Sequence, residues 1–222
     1  MQKQIDANHS LVQEVALPQI RIVRIEKLGN GKRKFHFEDK ESLILYYSET
    51  RGCELEEDSY ISHETYEYLL TEIVGKRAKK RALHLLEQMD RTEQQLREKL
   101  MLSEYPMRCV DEAINYVKSF HYLDDERYAE TFTRYKKEKM SRQQIKQKLM
   151  MKGIARDIIS NAIEEEYDVD ESVHIRGLLE KKQFSKDNAD EGEFRRVYNF
   201  LLRRGFRSSD ILREMNNCVE VV

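Results

Sequence analysis

The chain has no tryptophan, only two prolines (Pro18 and Pro106) and eight glycines among 222 residues. So few helix breakers exclude a turn-rich all-β fold and leave long stretches free to be helical. Cys53, Cys109 and Cys218 are odd in number and form no C-x-x-C pair. They exclude a disulfide framework and a cysteine zinc site, and they point to a reducing compartment. No run approaches the roughly 18 apolar residues that span a bilayer. The first ten residues, MQKQIDANHS, lack an apolar segment, so no signal peptide is expected and the protein is read as soluble and cytoplasmic. There is no phosphate-binding glycine loop, and no serine or cysteine stands in a nucleophile motif. His63-Glu64 has no second histidine at zincin spacing. The reading is of a protein that is not an enzyme and needs neither metal nor other cofactor.

Charge is present in quantity but segregated. The formal net charge is −2 with 36% charged residues. Residues 38–72 are strongly acidic, and 164–171 are acidic again. Between them Arg134, Lys136, Lys137, Lys139, Arg142, Lys146, Lys148 and Lys152 face only Glu138. A solvated helix usually mixes signs for i,i+4 pairing, so this run is a candidate surface for a polyanion or an acidic protein. Arg195, Arg196, Arg203, Arg204 and Arg207 form a second acid-free cluster, and Arg forks suit phosphate and carboxylate. The 164–171 run reads as a solvated linker, with self-docking onto a basic face as the rival reading.

The N-terminal part alternates. Residues 20–27, 33–38 and 43–47 read as three antiparallel strands, with Asn30-Gly31 as a hairpin turn. The helical pattern Tyr66, Leu69, Leu70, Ile73 is the natural cover for the apolar face of this sheet. From about residue 76 onward every periodic segment is helical.

Thr92–Gln95 and Ser141–Gln144 are capping boxes, in which hydroxyl and Gln side chains satisfy each other's backbone donors. They open an internal repeat: residues 92–114 align without a gap on 141–163, and more faintly on 193–215. Leu96, Ile145 and Val197 correspond, as do Leu100, Leu149 and Leu201. Gly153 and Gly205 suit a left-handed helix stop. The first copy has Glu104 there and is expected to turn differently, with Pro106 starting the next helix. Each copy is preceded by a further helix, 76–89, 126–139 and 172–182. The last of these contains Gly177, and a polar loop at 183–193 follows it. In 126–139, Tyr128, Ala129, Phe132 and Tyr135 form an apolar stripe and are read as core rather than as base-stacking residues. Asp124-Asp125 is read as a helix cap rather than a catalytic pair, with Arg127 as its neighbour. The expected fold is mainly α: three tandem three-helix repeats (62–122, 123–170, 171–222) behind a small antiparallel β-sheet N-terminal domain (1–61). Stacked units of this kind present an extended surface to macromolecules.

Residues 122–129 read Tyr122-Leu123-Asp124-Asp125-Glu126-Arg127-Tyr128-Ala129 and open the second unit. This segment resembles the (F/Y)-L-D-D-x-R-(F/Y)-A signature of the RecX family. Leu149 to Ile154 is similar to that family's L-x-x-K-G-(I/V) segment. The resemblance covers residues 60–215 well and the N-terminal part loosely. It implies a regulator that binds a RecA-type recombinase filament on DNA and lowers its recombinase, ATPase and coprotease activity in DNA repair and the damage response. Its partners would be the filament and single-stranded or double-stranded DNA, with no membrane and the chain acting as a monomer. The residues leave two other readings open, a direct DNA-binding protein or transcriptional regulator built from three-helix units, and an adaptor for an unrelated acidic protein.

Overall fold

The computed structural model describes residues 19–218. The signal-peptide reading of residues 1–10 and the start of the expected N-terminal domain lie outside the described residues. The contacts divide the chain into two units: the residues up to Ala78 with Glu104–Cys109, and Lys79–Ser103 with the residues from Val110 onward.

The first unit holds strands β1 (Gln19–Gly29), β2 (Lys32–Phe37), β3 (Lys40–Tyr46) and β4 (Tyr60–Ser62). The sheet is antiparallel in the order β3-β2-β1-β4, so it has one more strand than the alternation predicted. Three residues are too few to show a period, which is why β4 escaped the pattern. Asn30 (φ 50°) and Gly31 (φ 72°) make the expected two-residue turn, with both residues left-handed. Ile20, Ile22, Phe35, Phe37, Leu43 and Leu45 are buried. The expected cover is present as α1 (His63–Tyr68) continued by a π-helical segment, Leu69–Gly75. It buries Tyr66, Leu69, Leu70 and Val74. Tyr66 stands edge-on to Phe37 with ring centroids 5.0 Å apart. Its hydroxyl donates to the Glu41 carbonyl at 3.0 Å, and burial pushes its pKa up to about 12. In the same unit Arg77 forks onto Glu49 at 2.9 and 2.7 Å.

Beyond the sheet come α2 (Lys76–Gln88), α3 (Glu93–Met101), α4 (Met107–Ser119), α5 (Asp125–Lys136), α6 (Arg142–Met151), α7 (Arg156–Glu166), α8 (Glu171–Lys181), α9 (Glu191–Arg203) and α10 (Ser208–Asn217). They are three tandem three-helix repeats: α2–α4, α5–α7 and α8–α10. Both capping boxes form as read. The aligned core positions are buried in each copy: Leu96, Ile145 and Val197; Leu100, Leu149 and Leu201; Val110, Ile159 and Ile211. Gly153 and Gly205 each stop a helix at φ 82°. Glu104, expected to turn differently, adopts the same left-handed backbone at φ 57° without being glycine. The fold requires that conformation at this position of the first copy too, whichever residue supplies it. Gly177 is accommodated inside α8.

The third repeat departs in its core. Ala113 and Ala162 are buried in the first two copies, and the aligned residue in the third is Glu214, 5% exposed. Arg176 donates to Glu214 at 2.9 Å and Arg213 at 3.1 Å. Burial works against the Glu214 charge, but the two guanidinium donors outweigh it and hold the carboxyl below the usual range. A depressed carboxyl stabilises the fold fully above its unfolded pKa of about 4.3 and loses that contribution as pH falls through the folded value. Glu214→Gln is therefore expected to cost about 1–2 kcal/mol at pH 7, by analogy with other charge-assisted hydrogen bonds. The gap from the parent should close below about pH 4 in urea denaturation curves.

Candidate partner interface

The second unit is held by a joint that occurs twice with equivalent residues. Where the first repeat meets the second, Thr92 Oγ1 donates to the Lys152 carbonyl at 2.6 Å, and Asp125 accepts from the Glu93 amide at 2.9 Å. Where the second meets the third, Ser141 Oγ donates to the Arg204 carbonyl at 2.5 Å, and Glu171 accepts from the Arg142 amide at 2.7 Å. At each joint the N-terminus of the middle helix of one repeat receives a carboxylate from the first helix of the next. The carboxylate supplies the acceptor that an orphan amide needs and complements the dipole. Gly153 and Gly205 close the same joints. A Cβ at Gly153 would lie 2.5 Å from Gln94 Cβ, and one at Gly205 would lie 2.5 Å from Gln143 Cβ.

The signature is explained by this joint. Asp124 caps its own helix, accepting from the Arg127 amide at 3.0 Å, while Asp125 caps α3 of the preceding repeat. Burial lifts the Asp125 carboxyl above its ordinary range. Arg127 pairs with neither aspartate. Its guanidinium donates to the carbonyls of His121 and Tyr122 at 3.2 and 3.5 Å. Leu123 and Ala129 are buried, whereas Tyr122 is exposed. Tyr128 and Phe132 are half-buried against the second repeat's core, but Tyr135, expected in that core, is 76% exposed. Thr133 takes the buried position of that last turn, because the helix presents residue 133 to the core and turns 135 away.

The basic run does not form one free surface. Arg134 forks onto Glu166 at 2.9 and 2.5 Å, and Lys137 meets Asp168 at 2.7 Å. These cations hold the Glu166 and Asp168 carboxyls below their usual range. Arg142 donates to the Tyr167 carbonyl at 2.9 Å and lies over the Tyr167 ring. The 164–171 segment thus docks on the basic run rather than serving as a solvated linker. Lys152 lies 5.5 Å from the Tyr128 ring centre, and Arg204 3.6 Å from that of Phe200. Among the described residues no carboxylate partner is seen for Lys136, Lys139, Lys146, Lys148, Arg195, Arg196, Arg203 or Arg207. Nothing local in the sequence distinguishes these eight from their paired neighbours, because the pairing carboxylates lie about thirty residues away. If Glu166 and Asp168 screen the run, Glu166→Gln with Asp168→Asn should strengthen binding to a heparin column or a DNA fragment about threefold to tenfold at low salt. An unchanged elution position would contradict that role.

Comparison with known proteins decides the family. Residues 78–116 match the family model described as RecX, first three-helix domain, and residues 124–163 match RecX, second three-helix domain. The "Regulatory protein RecX" of Caldanaerobacter subterraneus subsp. tengcongensis is 32% identical over 164 residues, 73% of this chain and 81% of that protein. The chain belongs to the RecX family. A crystal structure of regulatory protein RecX shares the fold, with a TM-score of 0.59 at 20% identity, covering 89% of this chain and 99% of that one. The crystal structure of RecX from Lactobacillus salivarius does so with a TM-score of 0.55 at 21% identity, covering 65% and 96%. RecX is a family of regulatory proteins, in agreement with the signature and repeats. Among the described residues no helix is long and apolar enough to cross a membrane.

Proposed function

We propose that this RecX protein binds a RecA-type recombinase filament on DNA and lowers its recombinase, ATPase and coprotease activity, acting as a monomer. Membership of the RecX family carries this reading. The cations without carboxylate partners support a place for the contact, since a nucleoprotein filament offers both phosphates and acidic side chains. Lys139, Lys146 and Lys148 with Arg195, Arg196, Arg203 and Arg207 form the primary contact set, and Lys136 joins them. Arg134, Lys137 and Arg142 serve first as internal anchors, with Lys152 and Arg204 held over aromatic rings. The three repeats α2–α4, α5–α7 and α8–α10, within the segments 62–122, 123–170 and 171–222, are successive binding units along the filament.

The test is co-sedimentation with preformed recombinase filaments on single-stranded DNA over a salt series. Retention well above that on naked DNA, declining steadily with salt, is expected. Retention no greater than on naked DNA would contradict filament recognition and favour the direct DNA-binding reading.

A further inference from the structure

Three exposed rings stand in series leading into the signature, of which Tyr122 is the first residue. Tyr116 and Phe120 have centroids 5.0 Å apart, and Phe120 and Tyr122 are stacked at 6.0 Å with planes 22° apart. Phe120 and Tyr122 are each 54% exposed. His121 between them takes a left-handed backbone at φ 56°, and Arg127 ties the turn by its bonds to two carbonyls. Next to Tyr122 opens a groove of about 510 Å³, lined among others by Arg91, Arg127, Tyr128, Phe132, Tyr135 and Lys136. Exposed rings gathered in one place, rather than scattered singly, are the kind of surface that takes part in interactions.

Along the groove cations outnumber carboxylates. Arg91 donates to the Leu85 carbonyl and Arg127 to those of His121 and Tyr122, so their charges are directed at main-chain oxygens and not cancelled by a carboxylate. Lys136 adds a third cation, and Lys152 a fourth over the Tyr128 and Phe132 rings. Of the two carboxylates in the lining, Asp90 and Asp124, the second is occupied as a helix cap. Open ring faces flanked by cations suit unpaired bases and their phosphates. Bases in a duplex are stacked on one another and offer no face.

We propose that this groove binds single-stranded nucleic acid, with bases on Tyr122 and Tyr135, Phe120 extending the stack from Tyr122 outside the groove, and phosphates on Arg91, Arg127 and Lys136. The inference rests on the proposed function only for the source of the strand, the DNA of the filament.

The chain contains no tryptophan, so Phe120→Trp provides a single reporter beside the groove, on the ring stacked against Tyr122. Titration with an oligodeoxythymidylate of about ten nucleotides, without recombinase, should quench its emission saturably. Adding Tyr122→Ala should weaken that binding about tenfold, while Tyr122→Phe should leave it within twofold, since stacking needs the ring and not the hydroxyl. Unchanged circular dichroism establishes that the variants are folded. No quenching, equal quenching by a duplex of the same length, or an unchanged midpoint in Tyr122→Ala would overturn the groove assignment. A protein that fails here yet still co-sediments with filaments loses this site and keeps the proposed function.

Discussion

Gly153→Ala and Gly205→Ala are each expected to lower the unfolding free energy by about 2–4 kcal/mol, combining the left-handed backbone cost with overpacking. Both residues sit at φ 82° and both face a glutamine of the preceding repeat at a distance that excludes a methyl group. The flexible end of Gln94 or Gln143 can swing aside, but its Cβ moves only with the helix that carries it. Relief therefore means separating the repeats or bending the chain out of the left-handed region. Gly177→Ala is the internal control. Its Cβ would meet nothing within 4 Å, and it lies inside α8. That substitution should gain about 0.5–1 kcal/mol from helix propensity alone. Urea denaturation of the three variants checks the set. If Gly153→Ala and Gly177→Ala behaved alike, the joint would not be the tight element described above.

Charge reversal of Lys139, Lys146 and Lys148 together should raise the concentration needed for filament inhibition by tenfold or more, about one unit of salt slope being lost per contact removed. Their ammonium groups have no carboxylate partner among the described residues, so their replacement leaves no internal charge stranded. Lys137→Glu and Arg142→Glu are less informative. The first would face Asp168, and the second would lose the Tyr167 carbonyl and ring. Weaker binding by either could then arise from a disturbed helix pair. The triple variant should keep its thermal midpoint, because Lys139 and Lys148 are exposed, Lys146 is half-buried, and surface cations without an ion-pair partner contribute little to stability. Full inhibition by a folded triple variant would move the contact surface elsewhere.

What could be read from the residues followed the range of the interactions. Capping boxes at Thr92 and Ser141 are set within four residues, and the Asn30-Gly31 turn within two; all formed as expected. The aligned Leu, Ile and Val positions identified the repeat core because helical periodicity is itself local. The joint was hidden because Thr92 meets a carbonyl sixty residues away at Lys152, and nothing near Thr92 announces it. Glu104 misled for the opposite reason. A missing glycine reads as a different turn, yet the repeat imposes the same left-handed residue. Tyr135 belongs to the apolar stripe by spacing, but spacing does not fix where a buried stripe ends, and Thr133 fills that role. The basic run showed its sign correctly. Its division into cations held by Glu166 and Asp168 and cations left open required the docked 164–171 segment to be seen.

Restraint of a recombinase filament by this protein is tested most directly by the ATPase rate of the cognate RecA on single-stranded DNA at physiological salt, titrated with the protein. A fall in rate at protein concentrations well below that of the recombinase is the predicted result. A rate that stays constant up to equimolar protein would contradict that restraint.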